Sequence, residues 1–330
     1  MLVKSSDGVY LYRRPAGNDA FRPPRRLESP MARLAWLLLA WVGVALADQP
    51  YPFKMRSERA GNAAMVHASN GGPIPLSVRL QFAERENIST AERWPMIVVV
   101  PANTDLPVAR ISAFDPKKRW GYRYSYRFQY GAYTAVHDPA ALYRVPWMDG
   151  RTFVIGQAPG GPVITHKSPA SRNAVDIPMP EGTPIVAARA GLVFLTVSEN
   201  DVGGADEAYR SKANVVRVLH DDGTVGNYVH LMHEGVAVKD GERVAPGTLI
   251  GYAGSTGLSA GPHLHFAVTR VAREGDELVV VSEPFRFYVG DPPRPFTPQY
   301  GLAVRADYSP RAPAPTLVRR PASAPAPSAR

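Results

Sequence analysis

Apolar and polar residues alternate one by one along much of the first half of the chain. In "LSVRLQF" the residues Leu76, Val78, Leu80 and Phe82 take every second place. In "YRYSYRFQY" Tyr122, Tyr124, Tyr126, Phe128 and Tyr130 alternate with Arg, Ser, Arg and Gln. Successive side chains of a strand point to opposite faces, so both stretches predict half-buried strands. "MIVVV" from Met96 has no alternation and predicts a strand buried on both faces. Prolines and glycines punctuate these runs, and residues 48–155 together predict a small β-sandwich-like accessory domain. The aromatic row is expected to line its core; a glycan-stacking surface is the other reading of that row.

From about residue 156 the pattern tightens. "MPEGTPIVAARAGLV" and "VKDGERVAPGTLIGYAGSTG" each give a glycine turn, a short strand, a second glycine and another apolar strand. Between them "ANVVRVLHDDGTVGNYVHL" gives strand, Asp-Asp-Gly turn, strand. No long helix is predicted. The fold class is all-β, with residues 156–302 a second, compact antiparallel domain.

The 330 residues suffice for two domains with cores of their own. There is no cysteine, so disulfides, thiolate metal sites and cysteine nucleophiles are excluded together. The formal charge is +9, but residues 1–47 carry +4 and residues 303–330 another +4, leaving +1 for the body. A basic balance confined to the two ends does not point to a nucleic-acid groove. The Pro/Ala/Arg-rich segment 303–330 cannot bury a core and is expected to be disordered; a weak tether to an acidic wall polymer is the functional alternative.

"MARLAWLLLAWVGVALADQP" reads as a secretory signal at 31–47, with Arg33, an apolar run and Ala45-Leu46-Ala47 before Asp48. The run is short for a membrane span, and an uncleaved anchor is the lesser reading. Residues 1–30 are either a long lead-in to it or an extension upstream of a start at Met31, the second being favoured. Without cysteine a lipoprotein is excluded. The mature protein is expected in the periplasm or outside the cell, with no stable membrane span.

Two of the eight histidines, His263 and His265, stand two apart in "GPHLHF" and share a strand face. Such a pair suggests a common partner, a metal or a reacting group, although by itself it is more often a solvated or core pair. Asp176 lies in the apolar run "AVDIPMP", where a carboxylate costs free energy unless it is paired or metal-bound. A cysteine-free zinc site needs N and O ligands and an open position, and His and Asp supply them. His220 and His233 are read as surface or loop residues, and Asn214 and Thr183 as structural.

From roughly His166 to Phe285 the chain resembles the catalytic domain of the lysostaphin/LytM-type zinc metallopeptidases, which cut peptide cross-links of bacterial peptidoglycan. The matching pieces are "HKSPASRNAVDIPMPEGTPIVAARAGLV", "NVVRVLHDDGTVGNYVHL", "VKDGERVAPGTLIGYAGSTG" and "GPHLHF", in that order. The accessory domain resembles what precedes the catalytic domain in some Gram-negative members. The resemblance implies a LytM-type hybrid-barrel fold and Zn2+ held by His166, Asp176 and His265. It implies His263 as base or proton shuttle, and His230 as the residue that orients water or stabilises the oxyanion. Nine residues separate His166 from Asp176, more than in many members, so the loop between them must bulge. For a Gram-negative source the implied bond is the D-alanyl–diaminopimelate cross-link, glycine bridges being the other family option. A non-enzymatic or autoinhibited regulator of other cell-wall hydrolases is the alternative; the five residues weigh against the non-enzymatic form, and in the autoinhibited form the N-terminal domain would hold the site closed. A carrier domain would need a lysine at an apolar hairpin tip, a serine hydrolase a G-x-S-x-G elbow; neither occurs, nor does H-E-x-x-H.

Overall fold

The computed structural model describes residues 51–162 and 165–318, with the short strands 2–4 and 10–12. The expected signal at 31–47 and the end of the tail, 319–330, lie outside the described residues. The described chain is nearly all β, its one helical stretch among those residues being the 3-10 segment Glu207–Lys212.

Strands Phe53–Ala60, Ala63–Asn70, Thr104–Ala113 and Ile88–Thr90 form one antiparallel sheet in that order. Gly121–Tyr130, Leu76–Glu86 and Met96–Val100 form the body of a second, with Tyr10–Tyr12 and Leu2–Lys4 added outside Gly121–Tyr130. Val66, Ala68, Ala109 and Ile111 from the first sheet and Leu76, Val78, Leu80 and Phe128 from the second enclose one core. Two sheets that bury their facing sides in this way make a sandwich. The aromatic row does face this core: Phe128 and Tyr130 are buried in it, and Tyr122, Tyr124 and Tyr126 pack against it.

Two strands are buried differently from their sequence pattern. Met96–Val100 is an edge strand and mostly half-buried, because edge position, not composition, decides how many neighbours it has. Conversely, Ser77 and Arg79 on the polar side of Leu76–Glu86 are buried as well. That face meets the second unit: Arg79 Nε donates to the Asp276 carbonyl at 2.5 Å, and the guanidinium pairs with Glu277 at 2.8 Å. A buried guanidinium persists only where its donors are satisfied in this way.

The second unit is built on a larger antiparallel sheet. Its strands run in the order Val175–Pro178, His263–Glu274, Val225–Val236, Asn214–Leu219, Gly191–Val197 and Arg243–Val244. Leu249–Ala253 joins Val225–Val236 to Pro184–Val186, and Glu277–Ser282 pairs back on His263–Glu274. The Asp-Asp-Gly turn is formed, with Gly223 at φ +77°, a backbone that glycine adopts without steric cost.

The expected boundaries at 155 and 303 shift outward on both sides. Leu142–Arg144 pairs in parallel with Arg286–Val289, and Thr152–Val154 pairs with Leu302–Arg305. Tyr143, Val145, Trp147 and Ile155 belong to the core of the second unit, as do Val304, Ala306 and Ala312. The start of the supposed tail is therefore ordered, and Leu302–Arg305 also pairs with Thr316–Leu317. Burying a side chain such as Val304 contributes about 1.5 kcal/mol or more, enough to order a segment that composition reads as solvated.

Phe194 and Val225 of the second unit sit in the core of the sandwich, with Phe194 5.4 Å from Tyr130. Together with Asp276 they set where the sandwich docks. Asp276 lies eleven residues beyond His265, on the order of 30 Å along an extended chain. The two units thus join at the far end of the strand that carries the paired histidines.

Candidate metal and catalytic centre

The site is assembled from strand register. Val175–Pro178 pairs with the His263 strand so that Asp176 lies opposite His265 and Pro178 opposite His263. Residues directly opposite share a face, so Asp176, His263 and His265 all project to the side away from Val175, Leu264 and Phe266, which are core. Asp176 Oδ1 lies 2.9 Å from His265 Nδ1, and its Oδ2 lies 3.2 Å from His166 Nε2. His263 Nε2 is 3.8 Å from the same carboxylate.

His166 arrives from a loop. The ten-residue step to Asp176 does bulge, as a turn over 169–173 stapled to the neighbouring strand: Ser282 N donates to the Pro169 carbonyl at 2.8 Å and Asn173 N to Ser282 Oγ at 3.0 Å. On the other side Gln157 bridges to Asp176 through the backbone, and its amide exchanges hydrogen bonds with the hydroxyl of Thr165, next to His166. Gln157 carried no signal in the sequence, because its relation to Asp176 is a long-range bridge.

His230 comes to the site against the alternation of its own strand. Tyr228 pairs with Phe266 and Val229 with His265, so regular alternation would turn residue 230 back to the core face. Instead His230 has φ +66°, and the register with the neighbouring strand slips between Asn214 and Val215. This is a β-bulge, and it re-aims the imidazole. Its ring lies 4.7 Å from that of His263 and 5.9 Å from that of His265, while Leu231 returns to the core. A non-glycine residue in this conformation costs roughly 1–2 kcal/mol, so the surroundings must hold it there.

All five candidate residues therefore meet, and the side chains of His166, Asp176, His263 and His265 are only 12–19 % exposed. The donor atoms of His166, Asp176 and His265 lie within 4.8 Å of one another. Burial alone would raise the carboxyl of Asp176; the hydrogen bonds with His166 and His265 outweigh it and hold the group well below the usual carboxylate range. Burial lowers His265, which favours the neutral imidazole, the form that binds a metal. Two imidazoles and a carboxylate without thiolate suit zinc with an open position. The separations of 2.9 and 3.2 Å approach the edge of a tetrahedron with bonds of about 2.0 Å, so the residues fit the ion.

His230 and His263 are oriented alike. His230 Nδ1 lies 2.7 Å from the Thr256 carbonyl, and His263 Nδ1 lies 2.8 Å from the Gly261 carbonyl. A carbonyl accepts only, so each Nδ1 carries a proton, and in the neutral form of either ring Nε2 is the acceptor. Burial, then the neighbouring His265 and His263, push His230 down to about 3, so it stays neutral across the physiological range.

The remaining histidines separate clearly. His233 is exposed, as expected of a surface residue. His220 lies in a turn but is buried, with Nδ1 2.8 Å from the Ala190 carbonyl and its ring edge-on to Tyr143. The surface reading fails because the Tyr143 segment folds over it. Burial pushes His220 down to about 4. The folded state therefore favours its neutral form: the stabilisation is complete above about pH 6.5 and is lost as pH falls toward 4. That loss amounts to about 3 kcal/mol. In His220→Asn, urea unfolding at pH 7 and pH 4 is expected to differ by that much less than in the wild type; an unchanged difference would contradict the assignment. Asn214 and Thr183 are structural as read, Thr183 Oγ1 donating to the Pro180 carbonyl at 2.6 Å.

Residues 170–277 match peptidase family M23. This segment is similar to an M23 peptidase domain. The match holds Asp176, His230, His263 and His265, with His166 just before it. Over 100 residues the chain is 34 % identical to peptidoglycan DD-endopeptidase ShyA of Vibrio cholerae, covering 30 % of this chain and 20 % of that protein. Over 107 residues it is 35 % identical to glycyl-glycine endopeptidase ALE-1 of Staphylococcus capitis, covering 32 % of this chain and 26 % of that protein. The chain thus spans about a fifth to a quarter of the length of these relatives. Among solved structures, the catalytic domain of the prophage-encoded M23 protein EnpA from Enterococcus faecalis is 25 % identical. That likeness covers 42 % of this chain and 93 % of the other, with a TM-score of 0.31.

Proposed function

We propose that this protein is a zinc-dependent endopeptidase that hydrolyses peptide cross-links of bacterial peptidoglycan, in the periplasm or outside the cell. The observation that carries the proposal is the convergence of His166, Asp176 and His265 with His230 and His263 inside an M23 segment. The relatives named for peptidoglycan and glycyl-glycine bonds support the substrate class. Among the described residues no helix is long and apolar enough to cross a membrane.

His166 Nε2, Asp176 and His265 Nδ1 would hold the zinc. When bound, the ion supplies Lewis acidity toward the scissile carbonyl and an acidified water. His263, its ring fixed by the Gly261 carbonyl at Nδ1, accepts a proton at Nε2 as water adds to the carbonyl carbon. As the C–N bond breaks, the same nitrogen returns that proton to the leaving amine. His230 presents a second acceptor, 4.7 Å from His263 between ring centres, which suits orienting the water. As a neutral ring with its only N–H on the Thr256 carbonyl, it suits an oxyanion donor less.

The test is a digest of purified peptidoglycan by the zinc-loaded full chain, its products read by mass spectrometry. Cross-linked dimers should become monomers, a chelator should block the conversion, and the new termini name the bond. A zinc-loaded, folded chain that converts nothing would overturn the reading.

A further inference from the structure

We propose that the Thr256 hydroxyl is a positioning group for His230, locking the bulge that turns this histidine out of the core and into the site. The proposal deepens the hydrolase reading and rests on it for the part His230 plays in turnover.

The bulge interrupts the pairing of two neighbouring strands, and Asn214 and Leu231 are register partners at the point of slippage. The Thr256 hydroxyl stands between them. It accepts from Asn214 N at 2.9 Å and donates to the Leu231 carbonyl at 2.7 Å. One hydroxyl thus takes the place of a ladder bond and props the two backbones apart. Thr256 also offers its own carbonyl to His230 Nδ1 at 2.7 Å, so the residue that holds the bulge open sets the tautomer of the ring that the bulge turns to the site.

The rest of the bulge is closed around this contact. Asn214, fully buried, donates from its amide to the Met232 carbonyl at 3.1 Å, and Gly254 N donates to the His230 carbonyl at 2.9 Å. Gly254 must be glycine here, since a Cβ would stand 2.4 Å from the Cα of Met232. Thr256 is itself buried, which leaves Asn214 N–H and the Leu231 carbonyl no solvent to turn to if the hydroxyl is removed. Without it, each loses the partner the hydroxyl supplies, and the two residues already face each other as register partners. Direct pairing would erase the bulge and return His230 toward the core face.

The experiment compares Thr256→Val, which keeps the shape and removes the hydroxyl, with Thr256→Ser, which keeps the hydroxyl, in the zinc-loaded full chain. On a cross-linked muropeptide, Thr256→Val is expected to lower kcat roughly thirtyfold or more. Its KM and bound zinc should stay near wild type, and Thr256→Ser should recover most of kcat. A second reading needs no substrate: nitrogen NMR of the His230 ring should change tautomer or split in Thr256→Val and not in Thr256→Ser. Should Thr256→Val fail to fold, Thr256→Ala, which puts no methyl group against Asn214 N–H, carries the same comparison. Wild-type ring signals in the variant lacking the hydroxyl, or an equal loss of kcat in Thr256→Ser, overturn the proposal. A wild-type chain that cleaves nothing counts against the hydrolase reading alone, because the ring signals still decide the position of His230.

Discussion

Asp176→Ala is expected to remove bound zinc and hydrolysis together while leaving the fold in place. Asp176 is the member of the trio that touches both others, at 2.9 Å to His265 and 3.2 Å to His166. It is also the carboxylate of the trio, and against burial its hydrogen bonds with both histidines hold it in its charged form. Its removal leaves two imidazoles, one on a loop, with no carboxylate to offset the ion. Loss of an outer-shell partner weakens metal binding about 10–100-fold, and loss of a direct ligand should exceed that. The side chain lies at the sheet surface, opposite the core residues Val175 and Ile177, so truncation opens no cavity in the core. Zinc content after dialysis, with tryptophan fluorescence from buried Trp147 as the check on folding, decides it. Stoichiometric zinc in a folded Asp176→Ala protein would remove Asp176 from the ligand set.

His263→Ala is expected to separate the two losses. Its Nε2 stands 3.8 Å from Asp176 Oδ1, beside the trio, while its Nδ1 is tied to the Gly261 carbonyl. Ser259 Oγ, 3.3 Å away and donating to the same carbonyl, braces that arrangement. Zinc should therefore remain. Removing a general acid–base group typically costs 10²–10⁴-fold in rate, and kcat should fall by about that much with KM little changed. Measuring zinc and turnover on one sample separates the cases. Normal turnover would remove His263 from proton transfer, and loss of zinc would make it a ligand.

Much of this arrangement was written in the local pattern. Alternation along Leu76–Phe82 and Tyr122–Tyr130, and the glycine turns after residue 156, predict short strands because side-chain direction in a strand depends only on position. The same rule places His263 beside His265. The anomaly of Asp176 was equally legible, since a carboxylate in an apolar run demands a partner wherever the run folds.

What local pattern could not supply was anything set by the neighbour of a strand. Met96–Val100 reads as a central strand and lies at an edge; Arg79 reads as exposed and is buried against Asp276 and Glu277. Residues 142–155 and 302–312 return to a core that begins at the other end of the sequence. His230 shows the difference most directly. Its residue type and its place in "NYVHL" mark it as a candidate, yet alternation alone would bury it beside Tyr228. The φ of +66° that turns it to the site is sustained by Thr256, 26 residues away, and by Asn214 on the adjacent strand. The sequence by itself determined which side chains could hold a metal and move a proton, because that is a property of residue type. Tertiary structure decided that they meet and which way His230 faces, because a strained backbone is held only by contacts that chain order does not display.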